Sequence, residues 1–283
     1  MKILTFDIED WWGYKNNSID RKEDYLPRLD WYLLQILNLL EEKNIQATFF
    51  CLGKVTEEYP NVIKSIAKRG HQIGCHSYSH RFWGDAKPKE VVEDTKKALE
   101  LIENLIGEKV VAYRAPAFSI TEKNSWIIEI LVENGIEYDC SIFPASRRFG
   151  GFPNFKRDNP CIIDRYGVKI KEFPIPTIKI LGKDIAYSGG GYFRLFPYST
   201  IKSLVKRNDY VMTYFHIRDF DKEQKRIYRS FQGESAPINF FKNYYGLRNS
   251  FPKFRKLIED FDFVSVEQAA NTINWDEVPV VTV

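Results

Sequence analysis

Histidine is scarce in this chain of 283 residues: there are four, His71, His76, His80 and His216. No apolar run approaches the ~18 residues that a membrane-spanning helix needs, so no such span is expected. The opening MKILTFDIED reaches acids after six or so strand-like residues, too early for the apolar core of a secretory leader. The four cysteines, Cys51, Cys75, Cys140 and Cys161, form no CxxC pair. Without an export signal they are expected to be buried free thiols in a cytoplasmic protein rather than disulfides. Charge of one sign is also lacking. A formal net charge of +3, with lysines interspersed among acids, gives no nucleic-acid footprint. The glycine-rich SGGGYFRLFP (188–197) does not match a phosphate-binding loop, because no lysine and serine or threonine follow.

Aromatic residues are plentiful, with 21 Phe, 16 Tyr and 6 Trp making 15% of the chain. Such rings suit a wide core and equally a groove that stacks on sugar faces. Short apolar runs alternate with helical patterns, the signature of repeated βα units and a parallel sheet. KILTFDI reads as the first strand. PRLDWYLLQILNLLEEKN follows as a helix, with Pro27 near its start and Leu29, Leu33, Ile36, Leu37 and Leu40 on one face. The rhythm continues through QATFFCLG, YPNVIKSIAKRG, HQIGCHS, a long helix from about Pro88 to Ile106, VVAYRAP, TEKNSWIIEILVENG and EYDCSIF. From Phe149 to Pro176 it breaks into a Gly-, Pro- and aromatic-rich stretch. CIIDRY, VKIKEFPI and KIL look like hairpin strands inserted into the barrel or sheet. DYVMTYFHI returns to strand character, and FDFVSV reads as the last strand. No linker divides the chain, so a single domain over 1–283 is the economical reading.

In a parallel α/β architecture, functional groups collect where strands end, at the carboxyl edge. The first strand ends in Asp7, Glu9 and Asp10, the third in His76 and His80, the fourth in Arg114. The fifth ends in Asp139 and Ser141, the sixth in His216. Two histidines with a carboxylate suit a borderline divalent ion such as zinc, leaving positions open for water and substrate. Histidines four apart reach one ion when the segment coils into a helical turn. The helical metalloprotease motif needs a glutamate directly after the first histidine, and Ser77 stands there. Each feature alone has a bland reading as cap, surface ion pair or core histidine; their meeting at successive strand ends does not.

These residues, in this order, resemble the polysaccharide deacetylase family, the NodB-like carbohydrate esterases. TFDIED is similar to its first motif, HSYSH to its His-Ser/Thr-x-x-His metal motif and RAP to its Arg-x-Pro motif. YDCS and TYFHIRD resemble the motifs that supply an aspartate and the catalytic-acid histidine. The likeness spans about residues 3–219. SGGGYFRLFPY, FHIRDFDKEQKR and FKNYYGLRNSFPKFRKLIEDF further resemble an exopolysaccharide-associated subgroup with an extension over about 220–275. The resemblance implies an irregular (β/α) barrel of about seven strands, a distorted TIM barrel with a hairpin insertion and a C-terminal extension. It also implies a divalent metal, for which the donor set favours zinc, and hydrolysis of an N-acetyl group on a sugar.

Carried onto this sequence, the resemblance makes His76, His80 and one acid the metal ligands, and Arg114 the residue that orients the base. His216 becomes the acid, held protonated by Asp139. The family commonly has two adjacent aspartates where this chain has DIED. Asp10 is expected as the ligand and Asp7 as the base, with Glu9 as its substitute. Trp11, Trp83, Pro116 and Tyr192 are expected to touch the sugar, with Trp12, Tyr14, Phe82 and Phe193 nearby. Two other functions fit the same motifs: hydrolysis of a non-sugar amide C–N bond, and carbohydrate binding without catalysis.

Overall fold

In a computed structural model of the chain, residues 1–9, 22–224, 226, 228, 230 and 233–283 are described, with backbone only for 22–29. The βα rhythm folds into a nine-stranded sheet. Its spatial order is Phe215–His216, Thr5–Ile8, Thr48–Cys51, Gln72–Cys75, Ala112–Tyr113, Tyr138–Asp139, Val168–Glu172, Cys161–Arg165 and Val280–Thr282. The first seven run parallel to their neighbours, as helical crossovers require. Cys161–Arg165 and Val168–Glu172 form an antiparallel hairpin that joins this sheet edge-on. A second hairpin, Thr177–Ile180 with Lys183–Ala186, stands apart as its own two-stranded sheet.

Side chains alternate along the strands and divide the core into two layers. Leu4, Phe6 and Ile8 face the helices, as do Phe49 and Cys51, whereas Phe50 joins the inner group with Ala112, Tyr138 and Met212. Thr5 and Asp7 share that inner side: Arg114, at the end of Ala112–Tyr113, reaches both of them across the interior at 2.8 Å. The sheet therefore curls round its own inner face as an irregular barrel. Two links draw its margins together: Lys2–Ile3 pairs with Val211–Met212, and the Tyr210 hydroxyl donates to the Pro174 carbonyl at 2.7 Å.

The crossover helices end where their residues dictate. In Pro88–Ile106 the Glu90 carboxylate accepts the Lys87 backbone N–H at 2.8 Å, and Gly107 closes the last turn at φ +77°, a conformation that costs glycine little. The helix expected to begin near Pro27 starts earlier, at Lys22, and runs to Glu42. The glycine-rich 188–197 contains a short helix, Gly190–Leu195, rather than only a turn. FDFVSV pairs only at Val264, bridging Ile3, because Ser265 already caps the helix Val266–Thr272. The last strand is Val280–Thr282. No described helix is long and apolar enough to cross a membrane.

Candidate active site

Every chemistry-bearing side chain singled out above and described in the structure lies at or just past a strand's carboxyl end. Glu9 follows Thr5–Ile8, His76 follows Gln72–Cys75, Arg114 follows Ala112–Tyr113, and Asp139 and His216 end their own strands. Glu9, His76 and His80 are buried, and one donor atom from each lies within 4.8 Å of the others. Glu9 Oε2 stands 3.5 Å from His76 Nε2 and closer still to His80 Nε2. Two imidazoles and a carboxylate converging in a buried position form a nitrogen–oxygen set that fits a borderline divalent ion. Asp10, expected as the acid of this set, lies outside the described residues, as do Trp11, Trp12 and Tyr14.

The histidine pair is not on a helical turn. Ser77 and His80 both adopt left-handed backbone, with φ of 68° and 57°. Asp94, on the helix Pro88–Ile106, accepts the Tyr78 and Ser79 N–H groups at 2.6 and 3.1 Å and the Ser79 hydroxyl at 2.6 Å. The Ser77 hydroxyl oxygen accepts the His80 N–H at 3.1 Å. This loop, with its strain offset by hydrogen bonds, turns both rings to one point. His76 Nδ1 donates to the Arg114 carbonyl at 2.7 Å, which fixes the ring and turns Nε2 toward Glu9.

Beside this cluster lies a second set. Arg114 is fully buried and donates to Asp7 Oδ1 at 2.8 Å and to the Cys140 carbonyl at 3.2 Å, its guanidinium 4.2 Å above the Phe50 ring. His216 Nε2 sits 3.7 Å from Asp7 Oδ2 and 3.4 Å from Glu9 Oε1. Burial pushes the Glu9 pKa up, but the facing His80 and His216, with hydrogen bonds from His76 and His80, hold it well below the usual carboxylate range. For His216, burial alone lowers the pKa; Glu9 and Asp219 outweigh it and raise the value above the ordinary histidine range.

A polysaccharide deacetylase family model matches residues 4–138, and a domain of unknown function, DUF3473, matches residues 140–271. The chain carries a polysaccharide deacetylase domain. A peptidoglycan-N-acetylglucosamine deacetylase of Bacillus cereus is 32% identical over 141 residues, 48% of this chain and 52% of its own. A peptidoglycan deacetylase of Helicobacter pylori is 30% identical over 156 residues, 53% of this chain and 50% of its own. The chain thus spans about half the length of these curated relatives. A Mycobacterium smegmatis crystal structure assigned as a polysaccharide deacetylase superposes with a TM-score of 0.67 over 100% of this chain and 92% of its own, at 17% identity, a likeness of fold.

Within the deacetylase domain and beyond it, several expected roles need correction. Asp139 does not hold His216. It is fully buried beside Glu172, its partner in strand register, and accepts the Ser141 hydroxyl. Burial pushes the Asp139 pKa up to about 6 and that of Glu172 well above the carboxylate range, so the two carboxyls share a proton. The partner of His216 is Asp219, which the sequence reading missed. Its Oδ2 accepts the His216 backbone N–H and meets Nδ1, both at 3.0 Å. The signal was the spacing in HIRD: an acid three residues on caps the short turn Ile217–Asp219 that His216 begins.

Trp83 offers no ring face to a sugar. It is fully buried, and its indole N–H donates to the Tyr113 hydroxyl at 3.0 Å. Pro116 is also buried, opening a turn where Ala117 and Phe118 take positive φ. Phe82, stacked on Phe149 at 5.0 Å, lies 5.7 Å from the His80 ring. Tyr192 is exposed and lines a cleft of about 650 Å³ that also contains His216. Phe193 instead packs into the core, 4.9 Å from Phe215. His71, without a role in the sequence reading, lies at the opposite end of its strand. Its Nδ1 accepts the Ala47 N–H at 3.3 Å, and burial pushes its pKa down to about 4, which keeps it a neutral acceptor.

Proposed function

We propose that the protein is a metal-dependent hydrolase that removes N-acetyl groups from a sugar of a polysaccharide or its precursor, working as one domain over the whole chain. The observation that carries this reading is the buried meeting of Glu9, His76 and His80 next to the Arg114–Asp7 pair and His216. Glu9, His76 and His80 would hold the ion, and zinc is the divalent metal that this set suits. When bound, such an ion polarises the acetyl carbonyl and lowers the pKa of a water.

The chain's own residues supply the proton movements. Arg114 occupies Asp7 Oδ1 and so aims Oδ2 toward the reacting groups. Asp7 takes a proton from the attacking water as its oxygen bonds to the acetyl carbon. His216, whose pKa Glu9 and Asp219 raise, gives its proton to the sugar nitrogen as the C–N bond breaks, yielding acetate and the amine. Tyr192, which lines the cleft beside His216, would meet a neighbouring sugar ring.

The test is acetate release from N-acetylglucosamine oligomers and peptidoglycan fragments by zinc-loaded protein, with metal content measured in parallel. Asp7→Asn is expected to keep the metal and lose turnover about 100-fold or more, whereas His76→Ala loses both. Metal-loaded protein that hydrolyses no N-acetyl sugar would sink the reading. Turnover of simple amides alone would redirect it to a non-sugar C–N hydrolase.

A further inference from the structure

The cleft beside His216 has an uneven charge. Its described wall carries Arg147, Arg194, Arg218 and Lys242 against a single acid, Asp219. That leaves the wall as positive as the entire chain, whose formal net charge is +3. A low-dielectric concavity lined by one sign of charge concentrates ligands of the other.

The four cations are not equivalent. Arg194 is spent on structure: it donates to the Asn243 and Lys242 carbonyls at 2.6 and 2.8 Å and lies 3.5 Å from Asp219. Lys242 is paired with Glu234, and Arg218 leans toward Glu9 at 3.8 Å. Arg147 is exposed, and among the described residues no carboxylate pairs with it. Its guanidinium lies 4.4 Å from the Phe143 ring centre and bonds the buried Tyr214, whose ring packs edge-on against Phe118 at 5.5 Å. A guanidinium fixed over a ring keeps outward N–H groups in the fork geometry that matches a carboxylate or phosphate. Tyr192, Phe241 and Tyr245, which line the same cleft, are 37%, 51% and 49% exposed, giving ring faces that suit sugar stacking.

We propose that this cleft selects an N-acetylated sugar that also carries a negative charge, a carboxylate or a phosphate, and that Arg147 is the residue recognising that charge. The naming of the sugar rests on the deacetylase reading; the preference for negative charge rests on the wall. A neutral glycan would leave Arg147 without an anionic partner, and an acidic one supplies it.

Binding separates the two ideas. Affinities of zinc-loaded protein are measured calorimetrically for three probes: neutral N-acetylglucosamine tetramer, a tetrasaccharide alternating N-acetylglucosamine with glucuronic acid, and N-acetylglucosamine 1-phosphate. At least one charged probe is expected to bind tenfold or more tightly than the neutral one, and to weaken severalfold between 50 and 500 mM salt, about what one or two ion contacts confer. Whichever charged probe wins identifies carboxylate or phosphate as the source. Arg147→Gln is expected to cut the charged-to-neutral affinity ratio about tenfold, and Arg147→Lys to restore part of it. Equal affinity for all three probes, salt-independent binding, or no measurable binding of any of them overturns the proposal. Preferential binding of a charged probe without acetate release upholds it and removes the deacetylase reading instead.

Discussion

The Asp219 carboxylate holds His216 at two points, the backbone N–H and the ring Nδ1, through the same oxygen at 3.0 Å. Asp219 thus sets the position of the ring and, with Glu9, raises its pKa. Arg194 lies behind that acid, joining it to the carbonyls of Lys242 and Asn243 at the end of the helix Ala236–Tyr244. All of these residues fall within the segment matched as DUF3473, which thereby positions the histidine that faces Asp7 and Glu9 of the deacetylase match.

Asp219→Asn keeps the shape and removes the charge. Turnover is expected to fall about 10- to 100-fold, the usual effect of losing the partner that orients and charges a functional histidine. Asp139→Asn is expected to leave turnover within severalfold of the parent. Steady-state kinetics on the two variants checks this; a larger loss in Asp139→Asn than in Asp219→Asn contradicts the assignment of His216 to Asp219.

The histidine loop depends on Asp94, which takes three hydrogen bonds from Tyr78 and Ser79. Asp94→Ala leaves those donors to water and releases the left-handed turns at Ser77 and His80. Zinc affinity is expected to drop about tenfold or more, as for other residues that support metal ligands without touching the ion. Competition with a chromophoric chelator reads the change.

The Asp139–Glu172 pair gives stability a pH dependence of definite sign. Both folded pKa values lie above their ordinary values, Asp139 at about 6. The folded state therefore binds more protons than the unfolded one, and the contribution is complete below the ordinary carboxylate range near pH 4. It is lost as pH rises through about 6 and continues to fall higher as Glu172 titrates. Glu172→Gln keeps a neutral hydrogen-bonding side chain there and is expected to flatten the fall in melting temperature between pH 5 and 8. A slope unchanged from the parent protein contradicts the shared proton.

Much of this was legible in the sequence, and the exceptions have physical causes. The helix Pro88–Ile106 has its apolar face, its Glu90 cap and its Gly107 stop all in local sequence, and it ends where they place it. The acids and histidines at strand ends could be found because a parallel sheet puts its functional groups at one edge. What local pattern does not carry is which acid crosses the barrel to which base. Asp139 sits in a motif-like YDCS but faces Glu172, whose position in KIKEFP looks like an ordinary solvated strand charge. Trp83 follows the histidine motif closely, yet tertiary packing takes its whole side chain inside. FDFVSV has strand composition, but the helix cap at Ser265 interrupts it.

Glu9, His76 and His80 are expected to hold one divalent ion. Crystals of the zinc-loaded protein, measured on either side of the zinc absorption edge, test it most directly. One strong anomalous peak is expected at the Glu9 carboxylate and both histidine Nε2 atoms, with ligand distances of about 2.0–2.2 Å. No peak at that position, or a peak whose carboxylate ligand is an acid other than Glu9, contradicts it.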